Sequence, residues 1–212
     1  MKKTILAAAA LVSTLGSQAQ DVKLPAVDLN QKSATVVEAL ATRHSVREYS
    51  DRELSAQELS NLCWAACGMT RDAEHRTAPT AMNRKEIRLY VFTQKAVFEY
   101  EPVSNTLKFI AEGDQRRLMA GGSGFKQDFV MQAPVTLLMV VDLERFGSTD
   151  QHAVAMSYVD AGIVSENINL YCQAVGLATV PRATMDSAAI SKLLNLSEKQ
   201  VPLMNNPVGW PK

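Results

Sequence analysis

Arg43-His44-Ser45-Val46-Arg47-Glu48-Tyr49 gathers two guanidinium groups, an imidazole and a hydroxyl in one short stretch. Arginine's planar fork matches phosphate oxygens bidentately and a serine hydroxyl adds a donor, so the chemistry this stretch suits is phosphate binding. Basic side chains that follow a helix also complement its dipole while staying solvated. Taken alone, the stretch leaves both readings open. Lys212 is a further cation at the last position, where chain ends are usually mobile. It follows Asn206-Pro207-Val208-Gly209-Trp210-Pro211, which is too apolar and too rich in turn residues for a loose tail. A docked Trp210 would hold Lys212 in place.

Several other chemistries have no residues to perform them. There is no G-x-G-x-x-G after a strand, no Walker loop, no H-E-x-x-H and no G-x-S-x-G, which excludes Rossmann-type dinucleotide binding and serine hydrolysis of the usual kind. His44, His75 and His152 are scattered and make no ligand pair. Cys63 and Cys67 stand one helical turn apart in Leu62-Cys63-Trp64-Ala65-Ala66-Cys67-Gly68, and Cys172 is the third cysteine. A redox or metal pair is one reading of Cys63 and Cys67. Two small apolar residues packed inward is the better one, because free cysteine is commonly buried and no further ligands stand at zinc spacing. The 22 basic and 22 acidic residues balance, so no global field recruits nucleic acid or an anionic membrane.

The elements that must position these residues alternate between helix and strand. Thr35 to Thr42 reads as a short amphipathic helix, and Ser55-Ala-Gln-Glu58 has the capping-box spacing that starts a second. Ile87 to Phe92 is a strand, and Val97 to Glu101 and Thr106 to Ile110 form a hairpin across Pro102 to Asn105. Asp114 to Met119 suggests a brief helix, followed by a loop at Gly121, Gly122 and Gly124. The apolar run Pro134 to Val141 fits a central strand covered on both faces. A long helix from about Ala153 to Val175 ends at Gly176, where a left-handed cap is wanted. Ser157, Ala161 and Ser165 repeat at four-residue spacing on it, which suits either a dimer interface or a core helix within one subunit.

The first twenty residues follow another rule. Lys2 and Lys3, the apolar run Ile5 to Leu15 and the small residues of Ser17-Gln18-Ala19 form the pattern of a secretory signal. The run is shorter than the roughly 20 residues that span a bilayer, so a stable membrane anchor is not expected. The expected organisation is a signal peptide over 1–20 and one domain over 21–212, with export to the periplasm as the expected destination.

Several segments together resemble the nitroreductase family. Arg43 to Tyr49 is similar to its R-R/H-S-x-R-x-F/Y segment, and Ala78-Pro79-Thr80-Ala81-Met82-Asn83 to its P-S-x-x-N segment. Gln132-Ala133-Pro134-Val135 resembles its A-P-V strand entry, Asp160-Ala161-Gly162 through Asn167, Leu170 and Gly176-Leu177 its D-x-G…N-x-x-L…G-L helix, and Val208-Gly209-Trp210-Pro211 its terminal G-Y/W-P. The resemblance implies an α+β fold with a mixed, mainly antiparallel central sheet wrapped by helices, an intertwined homodimer, and FMN at the subunit interface. It implies that Arg43, His44, Ser45 and Arg47 approach the phosphate and ribityl chain, that Pro79, Thr80 and Asn83 lie near the isoalloxazine, and that Lys212 is a basic phosphate contact. The implied activity is electron or hydride transfer between a reduced donor such as NAD(P)H and a small nitroaromatic or quinone-like substrate, with the flavin carrying the chemistry. A flavin-binding protein without turnover is the alternative. Where many relatives have N-x-Q-P-W, this chain has Asn83-Arg84-Lys85-Glu86-Ile87, so contacts along the flavin edge differ. Export also removes the chain from the compartment where NAD(P)H is plentiful, which leaves the donor open.

Overall fold

The computed structural model describes residues 20–121 and 126–212. The signal reading of 1–20 therefore falls, apart from Gln20, outside the described residues, as do Gly122 and Gly124 of the glycine-rich loop. In chain order the elements are β1 (Val22–Lys23), α1 (Val36–Thr42), α2 (Ala56–Cys67), β2 (Ile87–Thr93), β3 (Ala96–Glu101), β4 (Thr106–Glu112), β5 (Val135–Asp142), α3 (Leu143–Phe146), α4 (Gln151–Val175), β6 (Ala178–Thr179), α5 (Ser187–Leu193) and β7 (Gln200–Gly209). The strands make one seven-stranded sheet in the order β1-β4-β3-β2-β5-β7-β6. Every ladder is antiparallel, as in Tyr90 opposite Leu138 and Thr136 opposite Pro207. The expected α+β fold, with helices around a mainly antiparallel sheet, is the one observed.

The helix starts follow from their caps. Thr35 and Ser55 each accept from the backbone N–H three residues on, while Glu38 and Glu58 reach back, so both helices open on a complete capping box. Gly176 ends α4 at φ 80°, the left-handed conformation in which glycine carries no Cβ penalty. Gly68 ends α2 for a different reason. It is extended, and a Cβ there would stand 2.5 Å from Trp64 Cδ1.

Strand alternation builds a core on each face of the sheet. Leu89 and Val91 of β2 and Leu137 and Met139 of β5 join α2 and α4 through Leu59, Leu62, Cys63 and Ile168. Their neighbours Tyr90, Phe92, Leu138 and Val140 point the other way, against Ile190 and Leu194 at α5. Complete burial of one such side chain is worth about 1.5 to 3 kcal/mol, so β5, buried on both faces, anchors the sheet.

Two expectations are settled here. Cys63, Cys67 and Cys172 are all buried thiols, as the packing reading required, and burial pushes Cys67 up to about 11. Ser157, Ala161 and Ser165 are buried inside one subunit, so the dimer-interface reading of that small-residue face is wrong. Ser157 Oγ donates to Ala153 O at 2.8 Å and Ser165 Oγ to Asn206 Oδ1 at 2.8 Å, which turns the face toward the sheet.

Candidate functional site

The Arg43–Arg47 stretch begins where α1 stops. Arg43 N still donates to Ala39 O, at 2.8 Å, but the residue's ψ of 126° carries the chain into an extended path. Val46 N then donates to Thr179 O at 3.0 Å, and Tyr49 pairs with Pro211 in an antiparallel bridge. Ser50 N donates to Trp210 O at 2.9 Å across 160 positions of sequence. Tyr49 is buried, its hydroxyl donating to Val46 O or Pro207 O, and a Cβ on Gly209 would stand 3.1 Å from its ring and 2.6 Å from Pro134. Trp210 is clamped on its other side by Arg52, whose guanidinium carbon lies 3.7 Å from the ring centroid and whose Nη2 is 2.9 Å from Glu58 Oε1. Lys212 is thereby fixed close to the N-terminal basic stretch.

Arg43, His44, Ser45, Arg47 and Lys212 are all exposed. Among the described residues no carboxylate lies within ion-pair distance of Arg43, Arg47 or Lys212, whereas other arginines, such as Arg88 and Arg116, are paired. His44 Nδ1 is 2.9 Å from Thr42 O, a contact that holds its ring against the helix end. A groove of about 550 Å³, lined by Tyr49, Ser50, Asp51, Gln132 and Lys212 among others, opens beside them.

A buried arginine behind this end escaped the sequence reading. Arg182 donates to Gln127 Oε1 at 2.6 Å, Met119 O at 2.8 Å and Asn205 Oδ1 at 2.6 Å, and its guanidinium faces Phe129 at 5.5 Å. Burial lowers it to about 10, with Tyr49 opposing and the charge of Arg47 adding to the fall, so it stays cationic at neutral pH. Arg182 and the unpaired Arg43 and Arg47 make this end of the molecule an anion-attracting surface.

Pro79, Thr80 and Asn83 lie on a different wall. Pro79 and Asn83 are exposed and Thr80 is half-buried on a 3₁₀ turn, Ala81–Asn83, in which Met82 and Asn83 both have φ 52°. Asn83 thus also serves as a turn residue, a conformation its short amide tolerates. Thr80 Oγ1 accepts from Lys85 N at 2.8 Å, and Asp160 Oδ2 accepts from Ala81 N at 2.8 Å, so α4 pins the turn. Glu86 beneath it has no exposed surface, and neither carboxyl oxygen meets an ordinary donor. Burial first, and then the neighbouring Asp160, pushes Glu86 well above the usual carboxylate range, with Arg76 opposing. A cavity of about 380 Å³ on the open side of the turn is lined by Arg71, His75, Arg76, Pro79, Thr80 and Asn83.

The expected site residues therefore form two groups. Lys212 lies beside Tyr49, at the end of the Arg43–Arg47 stretch, Pro79, Thr80 and Asn83 line a second wall, and neither the groove of about 550 Å³ nor the cavity of about 380 Å³ has lining from both. Apolar side chains are exposed near each group. Val36, Val37 and Leu40 stand out from α1, with Val37 at 75% exposure, and Val154, Tyr158 and Val159 from α4, with Met82 at 67% on the adjacent turn.

A model of the nitroreductase family matches residues 40–210. A candidate nitroreductase of Methanocaldococcus jannaschii is 27% identical over 199 residues, covering 89% of this chain and 96% of that protein. The crystal structure of a candidate nitroreductase from Ralstonia eutropha superposes with a TM-score of 0.84 at 27% identity, over 100% of this chain and 96% of that one. A nitroreductase family protein from Clostridium difficile shares the fold with a TM-score of 0.60 at 22% identity, over 83% of this chain and 84% of that one. No helix among the described residues is long and apolar enough to cross a membrane. With the family model spanning residues 40–210, the chain belongs to the nitroreductase family.

Proposed function

We propose that this chain is an FMN-dependent oxidoreductase that works as a homodimer, each flavin lying between the phosphate-binding end of one copy and the Pro79–Asn83 wall of the other. Its family is one of flavin-dependent oxidoreductases. The observation that supports the finer reading is the pairing of Tyr49 with Pro211, which brings Lys212 to the end of the basic stretch that begins at Arg43. Forked and point-charge donors left without carboxylate partners suit a terminal phosphate, which FMN has and which a dinucleotide would bury inside its pyrophosphate.

When bound, FMN supplies the electron or hydride transfer between a reduced donor and a small nitroaromatic or quinone-like acceptor. The chain's part is to bind and orient. Arg43, Ser45, Arg47 and Lys212 hold the phosphate, and His44 lies along the ribityl chain. Pro79, Thr80 and Asn83 support the ring from the other copy, a reading supported by the separate linings of the groove at Lys212 and the cavity at Asn83. The exposed apolar residues of α1 and of the N-terminal half of α4 flank the two walls and would be covered in such a dimer. The N-terminal twenty residues support export, with FMN acquired after the domain has folded.

The test is a titration of FMN and FAD into flavin-free protein, followed by visible absorbance. FMN binding preferentially, with the flavin bleached by a reductant and reoxidised by an acceptor, is the expected result. A wide preference for FAD, or a colourless protein that takes up neither, would overturn the reading, and flavin that binds without turning over would reduce the protein to a carrier.

A further inference from the structure

We propose that the cavity beside the Pro79–Asn83 turn selects a small acceptor bearing a carboxylate, held by Arg71 and Arg76. This rests on the FMN reading above and deepens it by naming the class of substrate. The cavity, at about 380 Å³, is of the size that takes a substituted single ring. Its lining contains two guanidinium groups and an imidazole and no carboxylate.

The three basic residues are presented by a small hairpin. Met69 pairs with Arg76, Thr70 N donates to His75 O at 2.9 Å and Thr77 N to Gly68 O at 2.9 Å. Asp72 closes its tip, where Oδ1 accepts from Glu74 N at 2.8 Å, from His75 N at 3.0 Å and from His75 Nδ1 at 2.8 Å. That carboxylate is therefore committed to the hairpin. It also fixes the imidazole ring through Nδ1, which leaves Nε2 for a ligand. Arg76 spends one amine on Ile87 O, at 2.8 Å, and its Nε is buried without a partner. Neither Arg71 nor Arg76 has a carboxylate at ion-pair distance among the described residues. Behind the turn, Asp160 is engaged by Ala81 N, and Glu86 has no exposed surface. Two arginines lining a cavity of this size, with the Asp72 carboxylate committed to the hairpin tip, present a site for one carboxylate on a planar substrate.

The experiment compares 4-nitrobenzoate with 4-nitrobenzyl alcohol, which has the same ring and nitro group without the charge. In the FMN-loaded wild type, kcat/KM should favour the acid, and high salt should shrink the preference. Arg71→Gln is the variant of choice, since Arg71 is exposed and makes no contact the fold needs. It should lower the acid-to-alcohol ratio about 10-fold. Benzoate, which is not reduced, provides a second measurement: its dissociation constant, read from the perturbed flavin spectrum, should rise by the same factor. Equal affinity for benzoate and benzyl alcohol in the wild type would overturn the inference and leave the FMN reading standing. So would an Arg71→Gln protein that weakens both substrates, or FMN itself, without changing the ratio. A wild type that takes up no FMN would defeat the functional reading instead, and calorimetric titration of benzoate into it would still decide whether the cavity binds carboxylates.

Discussion

At the Arg43–Lys212 end, position is set by long-range backbone pairing: Val46 to Thr179, Tyr49 to Pro211 and Ser50 to Trp210 tie the segment after α1 to β6 and to the residues that follow β7. At the Pro79–Asn83 end, position is set locally and under strain. Met82, Asn83 and Lys85 have φ of 52°, 52° and 54°, and the side chains that restrain them include the Thr80 hydroxyl and the Asp160 carboxylate. A non-glycine residue in the left-handed region costs on the order of 1 kcal/mol, so the turn needs its restraints continuously. The difference teaches a division of labour. The first end is held by backbone pairing, whereas the second is packed over Glu86, whose carboxyl pKa is raised by burial.

The largest expected effect falls on the rigid end. Arg182→Met removes three hydrogen bonds and leaves Asn205 Oδ1, Gln127 Oε1 and Met119 O short of a donor. Stability should drop by about 3 to 5 kcal/mol in urea unfolding, offset only in part by relief of a buried charge. A loss under 1 kcal/mol would mean that this end is not organised around the arginine.

The turn should respond to pH where the cradle does not. Glu86 is raised in the folded state above its unfolded value, so the stability linked to its proton is fully present below the ordinary carboxylate range. It is lost as pH rises through about 7. Across that window the wild type should lose roughly 2 to 3 kcal/mol, and Glu86→Gln, which keeps a donor toward Asp160, should flatten the profile. Parallel profiles for the two proteins would show that Glu86 is not the titrating group.

Part of this contrast was legible in the sequence. The capping boxes at Thr35 and Ser55, the hairpin around Pro102 to Asn105 and the glycine cap of α4 are local signals, and they stand where the sequence placed them. β7 was not legible, because Pro202, Asn205, Asn206 and Pro207 are poor strand formers by propensity. The two asparagines are nonetheless fully buried, for their amides are satisfied by Arg182, Thr184, Ser165, Asn169 and Thr179, partners that only the fold supplies. The small-residue face of α4 misled for a related reason. Close approach was correctly read, but the approaching surface is the chain's own sheet and not a second copy. Of the site, the motif residues were visible, while Arg182, the Glu86–Asp160 pair and the Asp72–His75 contact carry no motif and emerge only from the packing.

Smaller effects sharpen the comparison further. Lys212→Ala should weaken FMN binding about 10-fold to 100-fold at low salt without changing stability, since a charge-assisted contact is worth roughly 1.5 to 3 kcal/mol. Unchanged affinity would show that the clasped terminus serves packing alone. Val37→Glu and Tyr158→Glu alter side chains that are exposed in the subunit, at 75% and 55%. Each should leave the unfolding midpoint of the monomer unchanged while loosening the dimer about 10-fold, as measured by sedimentation equilibrium. Dimers of undiminished stability would place the interface elsewhere.

If one FMN site is built from two copies of the chain, flavin and dimer must travel together. Sedimentation velocity of the flavin-loaded protein, monitored in both the protein band and the visible flavin band across a dilution series, tests it directly. The prediction is that visible absorbance travels only with the dimer, at one flavin per subunit, and is released as dilution produces monomer. A monomer that carries a full complement of FMN would contradict it.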